Sequence, residues 1–242
     1  MIMLNTCKKN FIANFFEKLR DKKQYRKWEA AKSPFPPPDC IRHLIKERRI
    51  REYNAWIEAG KPVPPPNLMK QMIVKEYAKK YQTNIFIETG TLMGEMVDAC
   101  ASIFDQIYSI ELSRDLFSGA HNRFSNQKHI SIMYGDSIDV LPEILAKIEQ
   151  PCLFWLDAHY SGGVTAKGKK ETPILQEIQY ILNHDIDRHI ILIDDARCFN
   201  GQNDYPTIQE LKNIILSHLP DWLFEIDNDV IRAAKCNVSQ SK

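Results

Sequence analysis

Five short stretches of the chain hold residues whose types and spacing could do chemistry. The first is Ile87-Glu88-Thr89-Gly90-Thr91-Leu92-Met93-Gly94, which follows an apolar run. Two glycines at this spacing let a backbone pass from strand to helix close against a ligand. A dinucleotide site would show G-x-G-x-x-G. Here the spacing is G-x-x-x-G, with Glu88 two residues before Gly90. A carboxylate there repels a pyrophosphate and suits a phosphate-free ligand that carries an ammonium group. The second stretch ends in Glu111, and an acidic residue at that point can accept both hydroxyl hydrogens of a ribose. The third is Gly135-Asp136-Ser137, where Asp136 can accept from an exocyclic adenine amine. The last two are Asp157-Ala158-His159 and Asp194-Asp195. Three carboxylates brought together repel unless something positive offsets them. The simplest offset is a divalent cation with oxygen ligands, Mg²⁺ or Mn²⁺, held by Asp157, Asp194 and Asp195.

These stretches need a scaffold that gathers them. From Asn84 onward, short apolar runs alternate with helical stretches. The expected strands are 85–88, 106–111, 130–134, 152–156, 190–193, 223–226 and 230–233. The expected helices lie near 94–104, 114–124, 138–148, 173–182 and 208–219. Strands spaced by helices imply an α/β fold, a Rossmann-like doubly wound and mostly parallel seven-stranded sheet. The last two strands are separated only by Asp227-Asn228-Asp229, too short for a parallel crossover, so they form a terminal antiparallel hairpin. Thr172-Pro173 reads as an N-cap with Pro at the first helical position. Thr207-Ile208-Gln209-Glu210 reads as a capping box. Ligands of open α/β sheets sit outside the carboxyl ends of the strands, and all five stretches fall there.

A ribose, an adenine and an amino acid tail without phosphate together describe S-adenosylmethionine. Residues 84–235 resemble the class I S-adenosylmethionine-dependent methyltransferases in Glu88, Gly90, Gly94, Glu111, Gly135-Asp136-Ser137 and the closing hairpin. That resemblance implies cofactor binding by Glu88, Gly90, Gly94, Glu111, Asp136 and Ser137. Asp157, Asp194 and Asp195 also resemble the metal positions of the metal-dependent O-methyltransferases of the catechol and macrolide-sugar types. The small-aromatic enzymes carry a Lys shortly after the first of these Asp residues, and Asp-Asn where this chain has Asp194-Asp195. This chain has His159 instead of that Lys, which places it nearer the sugar-modifying type. The resemblance implies Asp157 and His159 as catalytic residues, with His159 taking the proton of an acceptor hydroxyl. It implies an acceptor that is a sugar, a glycan or a related polar metabolite. The loop 161–171, with three glycines and three lysines, could close on that acceptor. The alternatives are a nucleotide-cofactor oxidoreductase, or a non-catalytic scaffold that binds a partner through its basic N-terminal helices.

Composition sets the outer bounds. The chain has 242 residues, 44% hydrophobic and 26% charged, which suits a globular domain with an appendage. The net charge of +1 conceals an asymmetry, +11 over residues 1–80 and −10 over the rest. The expected organisation is a basic helical extension with proline-rich linkers over 1–66, and the methyltransferase-like domain over 67–242. Phe11, Ile12, Phe15, Phe16 and Leu19 recur at helical spacing among lysines. Such a stripe packs on the neighbouring domain or pairs subunits in a homo-oligomer, with a membrane surface as the less favoured partner. Further helices are expected near 39–58, with Arg42, Lys46, Arg48, Arg49 and Arg51 exposed, and over 67–81. Clustered Lys and Arg permit phosphate contact, but no binding motif accompanies them, so nucleic acid is not expected. Six cysteines without a CxxC pair suggest reduced, mostly buried thiols in a cytoplasmic protein.

Overall fold

The computed structural model describes residues 18, 20–27, 40, 42–158 and 172–236. The aromatic stripe of residues 11–19, the loop 161–171 and His159 all lie outside the described residues.

Among the described residues, a helical stretch at 20–27 and then the helices α1 (Arg42–Glu58) and α2 (Asn67–Tyr81) come before the sheet. Then come β1 (Ile85–Thr89), α3 (Glu95–Cys100), β2 (Gln106–Glu111), α4 (Arg114–Phe124), β3 (Ile130–Tyr134), α5 (Ser137–Leu145) and β4 (Cys152–Leu156). The chain finishes with α6 (Ile174–Leu182), β5 (Ile190–Ile193), α7 (Ile208–His218), β6 (Trp222–Asp227) and β7 (Val230–Lys235). The seven strands run in the order β3-β2-β1-β4-β5-β7-β6. The first five are parallel and β7 is antiparallel to both its neighbours. The expected sheet and its closing hairpin are therefore present. The hairpin turn is tighter than the sequence suggests. Asp227 stays in β6, leaving Asn228 and Asp229 at φ 49° and 62°. Paired left-handed residues are what a two-residue type I′ turn requires, and Asn and Asp tolerate them.

The central strands read as continuous apolar runs because both faces are covered. Their side chains alternate between two cores. Phe86, Leu153, Trp155, Ile190 and Leu192 face Ile73, Val74 and Tyr77 of α2, with Val97 and Phe124. Ile85, Ile87, Cys152, Phe154, Ile191 and Ile193 face Leu141 and Ile144 of α5, Ile178 of α6, and Leu211 and Ile215 of α7. This alternation decides which way every side chain at the strand ends points. Thr207 opens α7 with the expected capping box. At α6 the local reading needs correction. Pro173 itself is the N-cap, and Thr172 contributes by accepting from the Ile174 amide at 3.3 Å. Arg48 and Arg49 are not free on the surface of α1. Arg48 pairs with Glu52 at 3.2 Å and Arg49 with Glu95 at 2.6 Å. Of the described cysteines, Cys100 and Cys152 are buried, Cys198 is half-buried, and Cys40 and Cys236 are exposed, so the thiols are less uniformly buried than composition suggests. Among the described residues, no helix is long and apolar enough to cross a membrane.

At the end of the sheet away from the strand tips, two histidines form a directed relay. The Cys152 amide donates to His189 Nδ1 at 3.1 Å. His189 Nε2 must then carry the proton, and it donates to His184 Nδ1 at 2.9 Å. His184 Nε2 donates in turn to the Leu145 carbonyl at 3.1 Å. Both rings must be neutral for this chain of bonds to exist. Burial, and then the neighbouring His184, hold His189 down at about 4. Since the unfolded ring titrates near 6.5, the relay's contribution is complete above that pH and is lost as pH falls through 4. The expected loss is about 3 kcal/mol. In urea titrations, the stability advantage of the natural chain over His189→Gln should shrink by that amount between neutral pH and pH 4. An advantage independent of pH would show that the ring is not held neutral.

Candidate active site at the strand ends

The tip of β1 is built around Gly90. Its φ is +90°, and a Cβ there would lie 2.6 Å from the Asp157 carbonyl oxygen. Only glycine lets the loops after β1 and β4 approach this closely. The Gly90 amide donates to the Ile110 carbonyl at 2.9 Å, and the Gly94 amide to the Thr91 carbonyl at 2.8 Å, which turns the loop into α3. Glu111, at the tip of β2, ties this loop down. Its Oε2 accepts from the Leu92 amide and its Oε1 from the Ser113 amide, each at 2.8 Å. A carboxylate has about four acceptor positions, so Glu111 keeps capacity for a further donor. Burial raises the Glu111 carboxyl, and the backbone amides of Ser113, Leu92 and Leu112 pull it back. The Gly135 amide donates to the Glu111 carbonyl at 3.0 Å, joining the tips of β2 and β3. Asp136 caps α5, accepting from the Ile138 amide at 3.1 Å, and Ser137 beside it is buried.

Glu88 lies beneath the rim rather than on it. It is 2% exposed, because the alternation that buries Phe86 carries it inward on the same face. Ser109 Oγ donates to its Oε2 at 2.5 Å, and Thr91 Oγ1 lies 2.6 Å from Ser109 Oγ. With the Ser109 proton on Glu88, Thr91 is the donor in the second bond. Burial pushes the Glu88 carboxyl up to about 8, Ser109 opposes this, and Asp157 and Glu111 add to it. A second buried acid, Glu177 of α6, stands beneath the same tips, next to Thr89 and Ser137. Burial pushes it up to about 7.

β4 and β5 are neighbours, so Asp157, Asp194 and Asp195 do come together, as their positions in the sequence suggest. What meets them is Lys70 of α2, a residue outside the expected site. Its ammonium donates to Asp194 Oδ2 and lies 3.7 Å from Asp195 Oδ1. Desolvation lowers the Lys70 pKa, but the Asp194, Asp157 and Asp195 carboxylates outweigh it and raise the amine overall. For Asp194, burial and the Asp157 carboxylate favour the proton, and the Lys70 ammonium opposes it. The proton between the two groups resides on the amine. The other Asp194 oxygen accepts from the Asp195 amide at 2.8 Å. Asp195 has φ 56°, and its Oδ1 accepts from Arg197 Nη1 at 2.8 Å. Arg197 also pairs with Asp229. These donor atoms do not fit a divalent cation, since Asp194 has both oxygens taken and Asp195 Oδ1 is held by Arg197. Among the described residues, no group of three or more His, Cys, Asp or Glu is arranged to hold one.

From the sequence alone α2 reads as scaffold, and Lys70 does not stand out. The available signal was its place three, four and seven residues before the buried Ile73, Val74 and Tyr77. That spacing puts it on the buried stripe of α2. The N-terminal helices also reach the start of α3. Arg49 pairs with Glu95, the first residue of α3, while Asn67 donates to the Glu95 carboxylate and Gln71 to its carbonyl, both at 3.2 Å.

No family model matches the chain, and no curated protein matches it in sequence. Solved structures do match in shape. One is the O-methyltransferase TomG from Streptomyces achromogenes, involved in tomaymycin synthesis and solved in complex with SAM. It is 15% identical with a TM-score of 0.53, over 77% of this chain and 88% of that one. Another is an O-methyltransferase from Bacillus cereus in complex with SAH. It is 13% identical with a TM-score of 0.52, over 78% of this chain and 90% of that one. At these identities the likeness is one of fold. The chain has the Rossmann-like fold that these S-adenosylmethionine-dependent O-methyltransferases share, with its terminal antiparallel hairpin.

Proposed function

We propose that the chain is an S-adenosylmethionine-dependent O-methyltransferase acting on a hydroxyl of a polar small molecule, a sugar or a glycan. The observation that carries this reading is Glu111, a buried carboxylate clamped beside the Gly90–Gly94 loop with acceptor capacity left for a further donor. Glu111 would hold the ribose hydroxyls, and Asp136 and Ser137 the adenine. The backbone of the Gly90–Gly94 loop would line the amino acid tail, with neutral Glu88 and Ser109 supporting it from beneath. The cofactor supplies an electrophilic methyl group on a sulfonium. The chain's part is to align the acceptor oxygen and take its proton. Asp157, at the seam of β1 and β4, and His159 two residues on are the groups assigned to that proton. The carboxylates of Asp194 and Asp195 are excluded from it, because Lys70 and Arg197 hold them. No step is assigned to Mg²⁺ or Mn²⁺, for which the donor atoms do not fit.

Calorimetric titration with S-adenosylmethionine or S-adenosylhomocysteine tests this directly. Saturable one-to-one binding is expected, weakened roughly a hundredfold or more in Glu111→Ala through loss of charged hydrogen bonds worth about 3 kcal/mol. Folded protein that gives no heat with either ligand would overturn the reading. A fluorescence titration showing NADH bound in their place would transfer the site to the oxidoreductase alternative.

A further inference from the structure

The three Asp residues after β4 and β5 meet at neighbouring strand tips, yet the charge that meets them belongs to the chain. We propose that the Lys70 ammonium is the resident cation of the acceptor end of the site, a positioning residue that stands in the metal's place and shuts divalent ions out. The proposal rests on the methyltransferase reading only in calling this the acceptor end.

Three observations support it. First, Lys70 is pre-organised. Its side chain is 14% exposed, and its backbone sits one turn before Ile73 and Val74, which are wedged against the sheet. Second, its location is dictated by the alternation of the strands. Trp155 and Leu192 face α2, so Asp157 and Asp194, two residues further along each strand, are carried toward the same helix. Third, the acceptor atoms are occupied. Asp194 gives one oxygen to Lys70 and the other to the Asp195 amide, while Asp195 Oδ1 is held by Arg197. A hard divalent ion needs about six oxygen ligands, several of them anionic, and would have to displace a half-buried ammonium to obtain them.

The lysine therefore does for the Asp pair what a metal does elsewhere. It offsets part of their repulsion, holds Asp194 in place and sets a positive charge at the strand tips. Unlike a metal, it keeps no open coordination position, so an acceptor here need not be a chelating diol.

The test is manganese binding by the full chain, read from the loss of the free-ion electron paramagnetic resonance signal. The natural protein is expected to take up no stoichiometric Mn²⁺. Lys70→Met keeps most of the packed stem and removes the charge. It should bind Mn²⁺ roughly tenfold or more tighter than the natural chain, and Lys70→Met with Asp194→Asn should lose that gain. Lys70→Arg keeps the charge and should bind no metal. Stoichiometric Mn²⁺ on the natural protein, lost in Asp194→Asn, would overturn the proposal. So would a folded Lys70→Met that gains no affinity. If Lys70→Met fails to fold, the natural chain and Lys70→Arg still decide the matter, since either one binding Mn²⁺ at Asp194 sinks it. Cofactor titrations on the same samples keep the two readings separate. Absence of S-adenosylhomocysteine binding would remove the methyltransferase assignment and leave the metal result standing.

Discussion

Glu88→Gln is expected to make the protein more stable, by about 4 kcal/mol above pH 8. The reason is the position of Glu88 inside the sheet. Burial pushes its carboxyl up to about 8 in the fold, whereas in the unfolded chain it titrates near 4.5. Below 4.5 both states hold the proton and the group costs nothing. As pH rises from there, the unfolded chain releases its proton first, so stability falls until the folded carboxyl ionises near 8, and then levels off. Glutamine has no proton to lose, and its amide oxygen can still accept from Ser109. In scanning calorimetry the two proteins should melt within about 2 °C of each other near pH 5 and differ by about 10 °C near pH 8.5. A melting difference that is the same at both values would show that Glu88 is not held neutral. Some alkaline slope should survive in the variant, because Glu177 is raised in the same direction.

Gly90→Ala should be the more damaging change at the strand tips, costing about 4 kcal/mol and eliminating cofactor binding. Two effects add. A side chain at φ +90° is strained in itself, and its Cβ would meet the Asp157 carbonyl oxygen at 2.6 Å and its carbon at 3.0 Å. Neither atom can step aside, because both belong to the backbone of the neighbouring loop. Relief requires parting the β1–β4 seam, where the Asp157 amide donates to the Thr89 carbonyl at 3.0 Å. Gly60 provides the control. Its φ is +82°, yet nothing lies within 4 Å of its would-be Cβ. Gly60→Ala should therefore show the conformational strain alone, about 1 kcal/mol, with cofactor binding intact. Equal destabilisation of the two variants in urea titrations would mean that the close approach of the β1 and β4 loops contributes nothing.

Most of the scaffold was legible from period and punctuation. The parallel strands announce themselves as short apolar runs such as Ile190–Ile193, and Thr207 with Glu210 marks the start of α7 by local chemistry alone. The tips of β2, β4 and β5 were legible too, because position along a strand decides which residues reach its carboxyl end. What escaped was direction and long-range partnership. The type of Glu88 suggested a rim carboxylate, and only counting by twos from Phe86 turns it into the wall. Lys70 stands 124 residues from Asp194, so no local pattern joins them. Its charge also disguises its place on the buried stripe of α2.

Lys70 has one more consequence. A metallo-enzyme is finished only when its ion arrives, and its fraction of competent molecules follows supply. Here the offsetting cation travels with the polypeptide, one per chain and covalently attached. The positive charge that faces the tips of β4 and β5 is thus in place from the moment α2 docks on the sheet, and a chelator cannot remove it.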